Sequence, residues 1–199
     1  MKPSIIWSIA THPHWALAMA KVGSPRMPFP ESYVEASKSD AFVHAGRVIR
    51  GFPDWDYLKA LREEWQGDLL VKGVMDPEDA VNLVKAGVDA IWVSNHSARQ
   101  FEAGPASIEQ LPAIRSAVGS NVPIIIDSGI IGGLDIMRAL ALGADFVFLG
   151  RAFHYAVAAF GAEGIDHMIK ILKADLNANL SQVGVSHFSE LASRLYSVD

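Results

Sequence analysis

The sequence predicts an α/β fold built of four repeated β-α units, of the (β/α)8 barrel or doubly wound kind, followed by C-terminal helices. Three observations carry this reading. Short apolar runs over 69–72, 90–94, 123–127 and 146–149 alternate with segments of helical period. The runs are apolar throughout, as expected of parallel strands buried on both faces. Each run also ends in a polar or glycine element: Lys72, then Ser94-Asn95-His96, then Asp127-Ser128-Gly129, then Gly150-Arg151. Parallel strands deliver such ends to one rim, where barrels place their chemistry. A full barrel takes ~250 residues, so four units make half of one.

In chain order, residues 1–50 read as a variable loop region with one short helix over 15–21. Gly23, Pro25, Pro28 and Pro30 then punctuate a loop. Residues 51–199 read as the repeating body. Asp54 is placed to cap a helix whose Trp55, Leu58, Leu61 and Trp65 fall at helical spacing, and Gly67 ends it. The first strand is expected to close at Gly73. Asp76-Pro77 opens the next helix with a cap and a proline at its first position, and Gly87 stops it. Further helices are expected over 107–118 and 133–142, and two more over 164–179 and 186–195. Gly87-Val88-Asp89 and Gly143-Ala144-Asp145 precede the second and fourth strands as a weak internal repeat.

Composition narrows the function classes. At 199 residues, half of them hydrophobic, the chain can bury a core and is not generally disordered. A net charge of −5 argues against nucleic acid as a partner. The absence of cysteine excludes disulfides and thiolate metal sites. His12, His14, His44, His154, His167 and His187 show no metal-ligand spacing, so no metal site is expected. No apolar run approaches the ~18 residues of a membrane span. The opening residues lack the organisation of a signal peptide, and the expected location is the cytoplasm.

The strand ends supply the candidate site. Lys72 is either a lysine snorkelling to the rim or a fixed cation facing an anionic substrate or cofactor. A lone His96 would read as a satisfied core histidine. With Arg99 beside it, the pair suits a substrate that carries an abstractable proton next to a carboxylate, which arginine grips bidentately. Asp127 either caps a turn or accepts hydrogen bonds from a polyol or ribityl chain. The loop from Gly129 to Gly133 and the pair Gly150-Arg151 match the paired loops that hold phosphate in barrels.

Val71-Lys72-Gly73, Val93-Ser94-Asn95-His96 with Arg99-Gln100, Asp127-Ser128-Gly129-Ile130 and Gly150-Arg151-Ala152-Phe153 together resemble the FMN-dependent α-hydroxy acid dehydrogenases and oxidases. The resemblance is closest to the L-lactate dehydrogenases that pass electrons to quinone or a cytochrome, and covers only the C-terminal half of such a chain. It therefore implies a (β/α)8 TIM-barrel fold of which this sequence holds the last four β-α units, a half-barrel, plus C-terminal helices. It implies FMN as cofactor, with Lys72, Ser94, Asp127, Ser128, Gly129, Gly150 and Arg151 binding it. Lys72 would stabilise negative charge on the reduced ring, His96 would be the base, and Arg99 would bind the substrate carboxylate. The implied reaction oxidises an L-2-hydroxy acid, L-lactate first, to the 2-oxo acid, with quinone, cytochrome or oxygen as acceptor. Residues 1–50 would match a variable region that covers the site or makes a peripheral contact with the inner face of a membrane.

Three departures from the family pattern stand out. Its glycine pair between histidine and arginine is Ser97-Ala98, its Leu-Asp after Arg-Gln is Phe101-Glu102, and a phosphate-binding arginine is replaced by Ile131. One lost charge-assisted bond is worth ~1.5–3 kcal/mol, an order of magnitude or two in FMN affinity. The resemblance also leads to the expectation that this sequence lacks the family's first four units, and with them the aspartate that orients the histidine. A half-barrel leaves two strand edges and an inner face open, so a homo-oligomer or a partner half-barrel is expected. The alternatives are an enzyme for another 2-hydroxy acid, such as mandelate or glycolate, and a catalytically inactive half-barrel that serves as a binding or assembly module.

Overall fold

A computed structural model describes residues 2–23 and 51–196. The chain divides into two compact units, Met1–Asp54 and Trp55–Asp199. The loop expected around Pro25, Pro28 and Pro30, and His44, lie outside the described residues.

In the first unit the sequence leads to expect one helix, over 15–21, but its described residues hold two: α1 (Pro3–Thr11) and α2 (Pro13–Val22). Each begins on a proline, whose fixed φ and missing N–H suit a helix's first turn. His12 breaks the run with φ −128° and ψ 65°. The isoleucines at 5, 6 and 9 lower helix propensity, which hid α1 from a pattern reading. Neither helix buries a residue.

The second unit follows the β-α alternation closely. Helix α3 (Trp55–Glu64) precedes β1 (Leu70–Val74); α4 (Pro77–Lys85) leads to β2 (Ala90–Val93). Then come α5 (Ser107–Val118), β3 (Ile124–Ile126), α6 (Gly133–Ala141) and β4 (Phe146–Val147). The strands form one parallel sheet in the order β1-β2-β3-β4. Asp76 caps α4, its side chain accepting from the amides of Glu78 and Asp79. Strand β1 does not close at Gly73. It passes through that glycine, at φ +97°, to Val74, and its register against β2 shifts between Lys72 and Val74. Such a bulge re-aims the strand end next to the rim.

After β4 the sequence reading misses one helix, α7 (Arg151–Phe160), and stops the next too early. Helix α8 runs from Glu163 to Val183, and the final segment, Phe188–Arg194, is a 3-10 helix rather than an α-helix. Alanines and aromatics blur the face pattern of α7, while no glycine interrupts α8 between Gly164 and Gly184.

One face of the sheet is covered. Ile91, Val93, Ile124 and Ile126 pack with Leu58 of α3, Ala80 and Leu83 of α4, Leu111 and Ile114 of α5 and Ala139 of α6. Each fully buried aliphatic chain is worth ~1.5–3 kcal/mol. The other face carries Leu70, Trp92, Phe146 and Phe148, of which Leu70, Phe146 and Phe148 are exposed. The expectation of strands buried on both faces is therefore met on one side only among the described residues. A smaller cluster of Met137, Val185 and Leu191 joins α6 to α8.

The weak sequence repeat has a structural counterpart at the amino ends of the strands. Asp89 accepts from the Leu69 amide at 2.8 Å and from Arg62 at 2.9 Å, while Arg62 also donates to the Gly87 carbonyl. Asp145 accepts from the Ile124 amide at 2.7 Å and is ion-paired with Arg115, which also donates to the Gly143 carbonyl at 2.8 Å. Gly87 and Gly143 both have positive φ, and a Cβ on Gly143 would lie 2.8 Å from the Arg115 side chain. The repeated glycine therefore both turns the chain and lets the arginine through.

Candidate active site

The carboxyl end of the sheet gathers Lys72, Ser94, His96, Asp127 and Ser128. Lys72 leaves β1 on the uncovered face. In register it pairs with Trp92, and its Nζ lies 4.4 Å from the centre of a Trp92 ring. Trp92 in turn stacks on Phe148 with ring centres 4.5 Å apart. This aromatic support holds the cation by its attraction to the ring face. Lys72 Nζ donates to Ser94 Oγ at 2.8 Å and forms an ion pair with Asp127. Ser128 Oγ donates to the other Asp127 oxygen at 2.8 Å.

Burial pushes the Asp127 carboxyl up, but hydrogen bonds from Lys72, Ser94 and Ser128 together with the Lys72 charge outweigh it, so the carboxyl sits below its ordinary value. Asp127 is held ionised and acts purely as an acceptor.

His96 follows β2 and opens an unusual turn. His96, Ser97 and Ala98 all have left-handed backbone angles, φ 53°, 56° and 60°. The neck of the loop is tied by Asn95: its amide donates to Ser107 Oγ at 3.0 Å, and its Nδ2 donates to the Pro105 carbonyl at 3.1 Å. Ser107 is buried at 1 % exposure, so the tie is anchored in the core. A cleft of about 520 Å³ lies beside His96, lined among others by Lys72, Met75, Ser94, Gln100 and Phe101. Asn95 stands in the Ser94-Asn95-His96 motif, but the sequence alone assigns it no role and marks neither Ser107 nor Trp92 as a site residue. Strand parity places Trp92 on the face of Lys72, and that signal could have found it.

The glycine-rich loops behave differently from one another. At the start of α6, the amides of Ile131 and Gly132 donate to Asp135, and that of Gly133 donates to Asp175 at 2.5 Å. These amides are not available to a phosphate, which narrows the loop expected from Gly129 to Gly133 to its first residues. Gly129 has open space around its Cα, as does Gly150. Gly150 is the N-cap of α7 and supplies no side-chain cap, with Arg151 as the first helical residue. An uncapped helix start beside a guanidinium has the chemistry to attract an anion. Asp175 reaches α6 from α8, and nothing in the local sequence announces it.

The structure thus joins Lys72, Ser94, Asp127, Ser128 and the His96 turn in one network. Among the described residues it shows no side-chain hydrogen bond or ion pair joining the guanidinium of Arg99 or Arg151 to that network; Arg99 and Arg151 are both exposed. The donor set fits FMN. A cation stands near the strand ends, an ionised carboxylate can accept from ribityl hydroxyls, and open glycines lead to an uncapped helix start with an arginine.

Comparison with known proteins agrees. The sequence profile of the FMN-dependent dehydrogenases matches residues 1–198. The chain is 37 % identical over 187 residues to an L-lactate dehydrogenase of Alcaligenes faecalis, covering 92 % of this chain and 49 % of that one. It is 38 % identical over 186 residues to an L-lactate dehydrogenase of Xanthomonas euvesicatoria pv. vesicatoria (strain 85-10), covering 92 % and 48 %. Among solved structures, the monotopic membrane protein (S)-mandelate dehydrogenase superposes with a TM-score of 0.83 at 34 % identity, over 96 % of this chain and 51 % of its own. A putative lactate oxidase of Pediococcus acidilactici gives 0.68 at 34 %, over 77 % and 44 %. The chain spans about half the length of the relatives it matches. It belongs to the FMN-dependent dehydrogenase family, whose cofactor is FMN.

Proposed function

We propose that this chain carries the base, the carboxylate clamp and the phosphate end of an FMN-dependent L-2-hydroxy acid dehydrogenase, with L-lactate as substrate. The observation that carries the reading is the Lys72–Asp127 pair set beside the His96 turn at one end of a parallel sheet. Relatives described as L-lactate dehydrogenases support the choice of substrate.

In this reading a ring nitrogen of His96 takes a proton from the hydroxy acid, and Arg99 holds its carboxylate bidentately. Lys72 balances negative charge on the cofactor ring, with Ser94 beside it. Asp127 and Ser128 bind the ribityl chain, while Gly129, Gly150 and Arg151 hold the phosphate. Bound FMN supplies the two-electron acceptor, and a quinone, a cytochrome or oxygen takes the electrons onward. Four further β-α units, from a partner half-barrel or a second copy of this chain, complete the barrel over Leu70, Trp92, Phe146 and Phe148.

A membrane contact is part of the proposal. Helices α1 and α2 expose Ile5, Ile6, Trp7, Ile9, Trp15 and Leu17. Residues 2–23 hold Lys2 and Lys21 and no acidic side chain. Exposed tryptophan with flanking lysine suits a membrane interface, and the (S)-mandelate dehydrogenase that superposes is described as monotopic. No helix among the described residues is long and apolar enough to cross a membrane. A second reading, favoured by that same neighbour, takes mandelate in place of lactate.

The test is to add FMN to the purified chain, remove the excess, and record the visible spectrum before and after L-lactate under anaerobic conditions. Retained flavin that is bleached by L-lactate supports the proposal. Flavin bleached by mandelate alone favours the second reading. No retained flavin would instead mark an inactive half-barrel that acts as a binding or assembly module.

A further inference from the structure

The His96 turn is held from outside itself. Its own backbone supplies two bonds, Ala98 N–H to the Asn95 carbonyl at 3.0 Å and Arg99 N–H to the His96 carbonyl at 3.3 Å. The two preceding amides go to serine side chains from different strand ends. His96 N–H donates to Ser94 Oγ at 3.1 Å, and Ser97 N–H donates to Ser128 Oγ at 3.0 Å. Left-handed angles cost ~1–2 kcal/mol for each non-glycine residue, and three stand in succession. Such a turn persists only where its surroundings fix it.

The two serines meet at the same ion pair. Ser94 Oγ accepts from Lys72, and Ser128 Oγ donates to Asp127, which is paired with Lys72. The bonds therefore close a ring that runs from His96 through Ser94, Lys72, Asp127 and Ser128 back to Ser97. Ser128 itself sits at φ 77°. Glycine would adopt that angle more easily but would lack the hydroxyl that links carboxylate to turn.

We propose that Ser128 is a positioning residue for His96, coupling the state of the Lys72–Asp127 pair to the direction of the histidine through the Ser97 amide. The reaction served by His96 rests on the function proposed above, but the coupling does not. Binding of a polyol chain to Asp127 would then be felt at His96 without any contact between ligand and histidine.

The test uses the chain without FMN, so its outcome is independent of whether the cofactor binds. Amide hydrogen exchange at Ser97, and the His96 imidazole resonances assigned against His96→Gln, are compared in wild type, Ser128→Gly, Ser128→Ala and Asp127→Asn. In Ser128→Gly, Ser97 exchange should quicken about tenfold, the loss of one bond, and the His96 resonances should shift, while the urea midpoint holds or rises because glycine relieves φ 77°. Ser128→Ala should show the same local changes with a lower midpoint. Asp127→Asn should also quicken Ser97 exchange. Unchanged Ser97 exchange and His96 resonances in Ser128→Gly would overturn the positioning role. Unchanged values in Asp127→Asn alone would overturn the coupling.

Discussion

Lys72 and Asp127 form an ion pair that reaches across β2, joining the ends of two strands that are not neighbours in the sheet. Lys72 lies over the Trp92 ring and donates to Ser94, while Ser128 donates to Asp127.

This pair makes stability depend on acid. The folded-state pKa of Asp127 is lowered from a usual ~3.9. A depressed carboxylate contributes stability above its unfolded pKa and loses it as pH falls through the folded value. Urea midpoints should therefore fall more steeply between about pH 5 and pH 3 for wild type than for Asp127→Asn. The pair is partly exposed, so the difference should be ~1 kcal/mol or less. Parallel slopes for the two proteins would contradict a stabilising pair.

Ala98 is a non-glycine residue held at φ 60°. Ala98→Gly should relieve backbone strain of ~1–2 kcal/mol, offset by glycine's greater freedom in the unfolded chain of ~0.5–1 kcal/mol. A net gain of ~0.5–1 kcal/mol in urea unfolding is expected. A loss of stability would mean that the Ala98 methyl contributes more by packing than its backbone angle costs.

The crossing of α7 and α8 depends on Gly164. A Cβ there would stand 2.1 Å from the Ala156 carbonyl oxygen, and backbone cannot move aside as a flexible side chain does. Gly164→Ala should destabilise by ~1–3 kcal/mol and increase proteolysis between the two helices. Wild-type melting of this variant would show that the helices can separate without penalty.

Arg115 satisfies three carbonyls, those of Gly119, Val122 and Gly143, besides pairing with Asp145. Lysine keeps the charge but not the planar fork. Arg115→Lys should cost ~2 kcal/mol in thermal or urea unfolding, from carbonyls left without a donor. A cost within experimental error would indicate that charge alone matters at this position.

The sequence by itself determined the alternation of strands and helices, because buried parallel strands must be apolar along their length and amphipathic helices must repeat at their own period. It also determined which polar residues gather at the carboxyl end of the sheet, Lys72, Ser94, His96, Asp127 and Ser128, but not that β1 runs on through Gly73 to Val74. It concealed α1, whose isoleucines weaken the helical signal, and α7, whose alanines and aromatics give no clear face.

What only the tertiary structure decided are the pairings between distant segments. Asp175 accepts from the amide of Gly133 across from α8, while the start of α7 has no side-chain cap. Trp92 becomes the seat of Lys72. Ser128, one position along from an expected cofactor ligand, reaches back to the Ser97 amide. The physical reason is the same in each case. Local propensity acts over a few residues, whereas a hydrogen-bond partner is chosen by which side chains the sheet and its helices bring within about 3 Å.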